Sequence, residues 1–159
     1  MGDQDRSLWD RGLIREGIAL VDGVLALRRF GAYTLQAAIA AVHAEATTAK
    51  ETDWSQIVRI YDALVRESPS PVVELNRAVA VAMRDGPEAG LALIDAILQG
   101  NAGGGLLQDY YLAHSARADL CRRLGRVADA RASYERALEL AQPEPARRFI
   151  AKRLNELAG

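Results

Sequence analysis

The chain has 159 residues, of which 50% are hydrophobic and 6% aromatic, and its formal net charge at pH 7 is −1. A chain of this length buries about two thirds of its unfolded surface as one domain. The near-zero net charge excludes a strongly basic nucleic-acid-binding protein, so we expect no direct contact with nucleic acid. Alanine and leucine are abundant, and no stretch alternates β-branched and polar residues as a half-buried strand does. The composition therefore predicts an all-α fold.

The single cysteine, Cys121, lies on an apolar helical stripe and leaves neither a disulfide framework nor a cysteine metal site. The opening residues, MGDQDRS, lack the basic and apolar regions of a secretory signal. No apolar run approaches the ~20 residues needed to cross a bilayer. We therefore expect a cytoplasmic protein with no membrane segment and no cofactor.

Apolar residues at helical spacing predict about eight helices in one domain over residues 8–158, after a disordered segment at 1–7. The first four helices are predicted at about 10–28, from Tyr33 to Ala46, from Trp54 after the N-cap candidate Asp53, and from Val72 to Met83. The sequence SPSP at 68–71 separates the third helix from the fourth, because a residue that precedes proline is disfavoured in the α region.

The other four predicted helices follow turns rich in glycine and proline. Asp85-Gly86-Pro87 precedes the fifth helix, GLALIDAIL at 90–98. The flexible sequence GNAGGG at 100–105 precedes the sixth helix, which is predicted to begin near Leu107. The seventh begins near Val127, after a turn at Gly125, and the eighth covers about 145–158.

The chain repeats itself at spacings near 40 and 73 residues. Arg77-Ala78 falls on Arg117-Ala118 at an offset of 40, and the sequence at 17–25 falls on that at 90–98 at an offset of 73. An offset of 41 matches three further pairs in the fifth and seventh helices, namely Ala89 with Ala130, Leu93 with Tyr134, and Ala96 with Ala137. Recurrence at such spacings is typical of a helical repeat protein.

Gly125, Ala130, Tyr134 and Ala137 resemble the second half of a tetratricopeptide repeat, in which a turn glycine precedes an alanine, an aromatic residue and an alanine. Pairing the second helix with the third, the fourth with the fifth and the sixth with the seventh predicts a right-handed α-solenoid of antiparallel helix pairs. The first and eighth helices would be terminal caps. Because alanine lets two helices approach closely, we predict that Ala130 and Tyr134 are buried between the sixth and seventh helices.

In such a solenoid the first helix of each pair lines the concave groove, so its polar residues are candidates for partner binding. They are Gln36 and His43 on the second helix, Asn76 and Arg77 on the fourth, and His114 and Arg117 on the sixth. Arg77 and Arg117 would hold carboxylates or backbone carbonyls of a bound segment, and Asn76 would add amide hydrogen bonds. The alternative is internal pairing, for example of Arg117 with Asp95 or Asp119.

No motif points to catalysis. HExxH, CxxC, GxSxG and the phosphate-binding glycine loop are all missing from the sequence, and His43 and His114 have no closely spaced ligand partner. Both histidines are interpreted as hydrogen-bonded helix residues. The basic cluster at 147–153 is interpreted as a solvated helix face, although residues 117–159 hold 10 Lys and Arg against 6 Asp and Glu. We expect no enzyme activity and no metal site.

Five sequence segments, taken in order along the chain, resemble the C-terminal extension of one group of extracytoplasmic-function RNA polymerase sigma factors. The segments, which span about residues 8–158, are LWDRGLIREGIALVDGVLAL, YTLQAAIAAVHAEA, DWSQIVRIYDALV, SPVVELNRAVAVA and HSARADLCRRLGR. In that group a tetratricopeptide-like domain follows two DNA- and polymerase-binding domains and modulates the sigma factor. Nothing in the chain looks like a promoter-reading helix-turn-helix, so the resemblance implies the extension alone, excised or separately encoded.

Two function hypotheses follow. The first is a protein-interaction domain that regulates transcription initiation by binding the sigma domains, RNA polymerase, or a signalling protein or peptide. The alternative is a sensor that binds a metabolite or peptide in the groove near His43, Asn76 and His114. The resemblance assigns no functional residues to either hypothesis.

Overall fold

The computed structural model describes residues 32–46, 51–100 and 105–158, and every regular element in these ranges is a helix. We number the helices α1 (Ala32–Glu45), α2 (Trp54–Glu67), α3 (Pro71–Asp85), α4 (Pro87–Leu98), α5 (Tyr111–Arg123), α6 (Val127–Leu140) and α7 (Glu144–Glu156). The all-α prediction is confirmed for these ranges. The predicted helix at 10–28 and the predicted disordered segment at 1–7 lie outside the described residues.

Contacts divide the chain into two compact units, residues 1–69 (unit 1) and 70–159 (unit 2). In unit 1, α1 packs against α2. Both helices bury apolar side chains, which include Leu35, Ala38 and Val42 on α1 and Ile57, Val58 and Leu64 on α2. The Asp53 carboxylate accepts a hydrogen bond from the Gln56 backbone N–H at 2.9 Å, which confirms the predicted N-cap of α2. One domain over 8–158 stays a prediction.

In unit 2, α3 and α4 form a closely packed pair. They are joined at Gly86, whose φ of +104° suits glycine, and Pro87 opens α4. A Cβ on Gly90 of α4 would lie 2.3 Å from the Ala82 Cβ and 2.8 Å from the Ala78 carbonyl oxygen. Glycine is therefore required at this position, because any side chain would push the two helices apart.

A second pair, α5 and α6, is joined by the predicted turn at Gly125, whose φ is +72°. Ala130 and Tyr134 are 0% and 1% exposed, so their predicted burial is confirmed. The Tyr134 ring belongs to an apolar cluster with Ala118 of α5 and Ile150 of α7. It therefore fills the space where three helices meet.

The predicted start of the helix after the glycine-rich sequence near Leu107 is wrong, because α5 begins at Tyr111. Residues 105–109 form turns instead. Gly105 has a φ of +74° and its carbonyl accepts a hydrogen bond from the Gln108 N–H at 3.0 Å. Leu107 is 5% exposed and joins the core of the α3–α4 pair. Leu107 is therefore apolar because it is buried from a turn, and not because it belongs to the buried side of a helix.

The repeat within unit 2 has a uniform offset of 40 residues. Helices α3 and α5 begin 40 positions apart, and so do α4 and α6. Matched positions are alike in burial, as in the pairs Gly90 with Ala130, Ile94 with Tyr134, and Ile97 with Ala137. The predicted offset of 41 is wrong, because Ala89, Leu93 and Ala96 are only half-buried. The offset of 41 was suggested by matching alanines in the two helices. It is misleading because the position where α4 crosses α3 holds Gly90, whereas the equivalent position of α6 holds Ala130.

Replacing Ala130 with Leu should overpack the α5–α6 pair, because a fully buried alanine leaves no room for a larger side chain. We expect a loss of about 1–3 kcal/mol in the free energy of unfolding, measured by denaturant titration with circular dichroism. The control is Ala132→Leu, at an exposed position of the same helix. Equal stability of the two variants would show that the assignment of the buried face is wrong.

Candidate functional site

The candidate residues of unit 1 lie on α1. Gln36 is exposed, and the half-buried His43 ring meets the Trp54 ring of α2 edge to face, with centroids 5.2 Å apart. Such aromatic pairs are stabilising, so His43 contributes to the packing of α1 on α2. Gln36 remains available at the surface of unit 1.

In unit 2, Asn76 is exposed and Arg77 half-buried on α3. Arg117 lies on α5, at the position equivalent to that of Arg77 on α3, and it holds three helices together. Its Nε donates to the Asp95 carboxylate of α4 and its Nη1 donates to the buried Ser133 hydroxyl of α6, each at 2.6 Å. The structure thus gives Arg117 one of the internal partners that the sequence left open.

Electrostatics favour this arrangement. Burial lowers the pKa of Arg117, but the hydrogen bond and negative charge of Asp95 outweigh it and leave the pKa above its ordinary value. The Arg117 and Asp95 side chains are 26% and 33% exposed, so the pair is only partly screened by solvent. Charge-assisted hydrogen bonds of this geometry are among the stronger contacts in proteins.

His114 is also engaged internally. Its Nε2 donates to the Gln108 carbonyl oxygen at 2.7 Å, since a carbonyl can only accept. The Gln108 side chain in turn donates to the Leu98 carbonyl at the end of α4, at 3.2 Å. His114 therefore fixes the turn at 105–110 against α5, and Gln108 links that turn to α4.

Apolar side chains are exposed on α3, a feature that the sequence reasoning missed. Val72, Val79 and Met83 are 37–39% exposed and share one stripe with Asn76, because all four recur at steps of four, three and four residues. On α5, Leu112 is 44% exposed at the position equivalent to Val72. Arg123, equivalent to Met83, places its Nη1 3.8 Å from the Met83 sulfur, so the two helices present adjoining surfaces.

We call this surface the first-helix face, because α3 and α5 are the first helices of their pairs. It is defined by Val72, Asn76, Val79, Met83, Leu112 and Arg123. Of seven large apolar side chains that are exposed in the described residues, four lie on it and a fifth, Phe149, lies on α7. By contrast, α4 exposes none of them. A sequence signal existed: the apolar residues of α3 cover a wider arc of the helix than the side on which Ala78 and Ala82 meet α4.

A polar cluster, which we call the polar junction, joins α5, α6 and α7. It consists of Asp119, Arg122, Tyr134, Arg153 and Glu156. Arg122 pairs with Asp119 at 2.7 Å and Arg153 with Glu156 at 2.8 Å. Burial raises the pKa of Tyr134, and the charge of Asp119 raises it further, while Arg122 and Arg153 oppose the shift. The Arg153 guanidinium also lies 5.2 Å from the centre of the exposed Phe149 ring.

The described ranges offer little to hold a metal. Among them no group of three or more His, Cys, Asp or Glu residues is arranged to bind an ion. Cys121 is buried as a free thiol, and burial raises its pKa, so it is a poor nucleophile in the folded chain. Within the same part of the chain, no helix has the length and apolar character to span a membrane.

Comparison with known proteins gives one informative match. The chain is similar to an uncharacterized protein of Rhizobium meliloti (strain 1021), with 45% identity over 156 residues. The alignment covers 98% of this chain but 36% of that protein, so the chain spans about a third of its relative's length. No protein family matches the chain. No solved structure matches it either.

Replacing Arg117 with Ala should destabilise unit 2, because Asp95 and Ser133 would lose their shared donor. We expect a loss of about 1–2 kcal/mol in the free energy of unfolding, measured by denaturant titration. Arg126→Ala is the control, since Arg126 is exposed and forms no ion pair in the described residues. If both variants were as stable as the parent chain, Arg117 would not hold the three helices together.

Proposed function

We propose that the chain is a protein-interaction and regulatory domain of an extracytoplasmic-function sigma factor. The observation that carries the proposal is the concentration of exposed apolar side chains on the first-helix face. Exposed apolar surface is costly in water, and contiguous patches of it usually mark interaction sites. A partner that covers this face would bury side chains such as Val79 and Met83.

We also propose that the helix pairs stack as a right-handed, tetratricopeptide-like α-solenoid. Its support is the uniform 40-residue offset in unit 2 and the start of α7 only 33 residues after that of α5. The latter spacing is close to the ~34 residues of a tetratricopeptide unit. In addition, α5 packs against both α3 and α4, as expected when each pair stacks on the one before.

The sigma-factor assignment is supported by the strings LNRAVA at 75–80 and YTLQAAIA at 33–40, which are more distinctive than the repeat spacing. The much greater length of the Rhizobium relative is compatible with a domain that works beside others. The partners proposed on this basis are the sigma domains, RNA polymerase, or a signalling protein or peptide, all in the cytoplasm. Regulation would act through binding rather than through catalysis.

The alternative, a small-ligand sensor, relied on His43, Asn76 and His114. His114 already donates to the Gln108 carbonyl, and His43 packs on Trp54. A ligand at His43 or His114 would have to compete with these internal contacts, whereas Val72, Val79 and Leu112 of the first-helix face are exposed apolar side chains. The interaction domain is therefore the better supported function.

The test is a binding titration of the labelled chain with the purified DNA- and polymerase-binding domains of such a sigma factor, and separately with RNA polymerase. We expect saturable binding that the double variant Val79→Glu, Met83→Glu weakens roughly tenfold or more. Ala92→Glu, on the exposed side of α4, is the matched control and should bind like the parent chain.

Absence of binding to both proteins, or equal weakening by the control, would contradict the proposal. Saturable thermal stabilisation by a metabolite, with no protein bound, would favour the sensor instead.

A further inference from the structure

The first-helix face contains one side chain that a mild oxidant can modify. Its other apolar members, Val72, Val79 and Leu112, are hydrocarbons, whereas Met83 carries a thioether sulfur. Oxidation of that sulfur to the sulfoxide turns a flexible apolar side chain into a polar one, and dedicated reductases reverse the change. Because Met83 is 39% exposed, a small oxidant reaches it in the folded chain.

The other sulfur of the described residues is protected. Cys121 is 1% exposed, and burial raises the pKa of its thiol, which leaves little of the thiolate that reacts with peroxides. The sequence has one cysteine and two methionines, and the second methionine, Met1, lies outside the described residues. Within the part of the chain that the structure describes, oxidation at sulfur is therefore directed to Met83.

Arg123 of α5 is placed to hold the oxidised side chain. Its Nη1 lies 3.8 Å from the Met83 sulfur, which is only a weak hydrogen-bond acceptor. Arg123 is exposed and forms no ion pair with the described residues, so its guanidinium group has donors to spare. A sulfoxide oxygen is a stronger acceptor, and rotation of the flexible methionine side chain brings it toward Nη1.

Oxidation at this position changes the surface and leaves the crossing of α3 and α4 intact. The side of α3 that meets α4 holds Ala78 and Ala82, whereas Met83 lies on the exposed stripe. The sulfoxide puts a polar S–O group at the end of that stripe and draws the Arg123 guanidinium toward it. A partner that covers the oxidised face must bury both polar groups, which costs free energy that the reduced face does not.

We propose that Met83 is a reversible oxidation site whose sulfoxide lowers the affinity of the first-helix face for its partner. The inference rests on the proposed interaction function and adds its regulation. The oxidant is hydrogen peroxide. One peroxide oxygen forms the bond to sulfur as the O–O bond breaks, and its proton passes to the departing oxygen, which leaves as water. The sulfur is oxidised and the peroxide is reduced.

The chemical step is tested by treating the folded chain with hydrogen peroxide and mapping added oxygen by mass spectrometry of peptides. We expect oxygen on the peptide that contains Met83, an unmodified thiol at Cys121, and removal of the oxygen by methionine sulfoxide reductases. The melting temperature should change little. Nuclear magnetic resonance should show the Arg123 guanidinium signals shifting on oxidation in the parent chain but not in Met83→Leu.

The regulation is tested by titrating the sigma-factor domains and RNA polymerase with the chain before and after oxidation, with the peroxide removed before they are added. We expect the oxidised parent chain to bind roughly 3- to 10-fold more weakly, and reductase treatment to restore its affinity. Met83→Leu is the matched control. Whatever its own affinity, peroxide treatment should leave that affinity unchanged, because leucine has no sulfur. This control also accounts for oxidation of Met1.

Equal affinity of the parent chain before and after oxidation, or equal weakening of Met83→Leu, would overturn the inference. So would oxidation of Cys121 ahead of Met83. If the reduced chain bound neither the sigma domains nor polymerase, the proposed function would fail. A reversible sulfoxide at Met83 that shifts the Arg123 signals would still support Met83 as the oxidation site.

Discussion

At Gly90, α4 comes so close to α3 that a Cβ atom would lie 2.8 Å from the Ala78 carbonyl oxygen. This close crossing determines which sides of the two helices are buried, because α3 must turn Ala78 and Ala82 toward α4. The stripe that contains Val79 and Met83 then faces away from α4 and remains exposed. The equivalent position in the next pair is Ala130, which is fully buried in the same way. The exposed face is thus a consequence of how small residues pack inside each pair.

The pairs of unit 2 are connected by a different kind of contact. Arg117 of α5 bonds Asp95 of the preceding pair and Ser133 of its own pair, so one guanidinium group ties α4, α5 and α6 together. A planar group with five donors in a fixed arrangement is well suited to such a junction. In this protein, arginine at that position connects the helix pairs, whereas the apolar residues of the first-helix face remain exposed. Polar character alone therefore does not show that a side chain is free to bind a partner.

The sequence predicted the features that depend on local chemistry. The turn at Gly125, the cap at Asp53 and the burial of Ala130 and Tyr134 follow from conformational preference and helical spacing, and all are confirmed. The predicted start of α5 was wrong, because Leu107 lies in a turn and not in the helix. Its burial depends on core residues that are distant in the sequence. The sequence left the partner of Arg117 open, because only the tertiary structure determines which of several acidic residues lies beside its side chain. The exposure of Val79 and Met83 was missed for the same reason, since apolar residues normally suggest a core.

If binding occurs through the first-helix face, the partner must protect a defined part of unit 2. The most direct measurement is amide hydrogen exchange of the chain, alone and saturated with the sigma-factor domains, followed by mass spectrometry of peptides. We expect slower exchange in peptides from α3 and α5, with α4 unchanged. Slower exchange confined to α4, or no change in any of these helices, would contradict the assignment of the first-helix face as the binding surface.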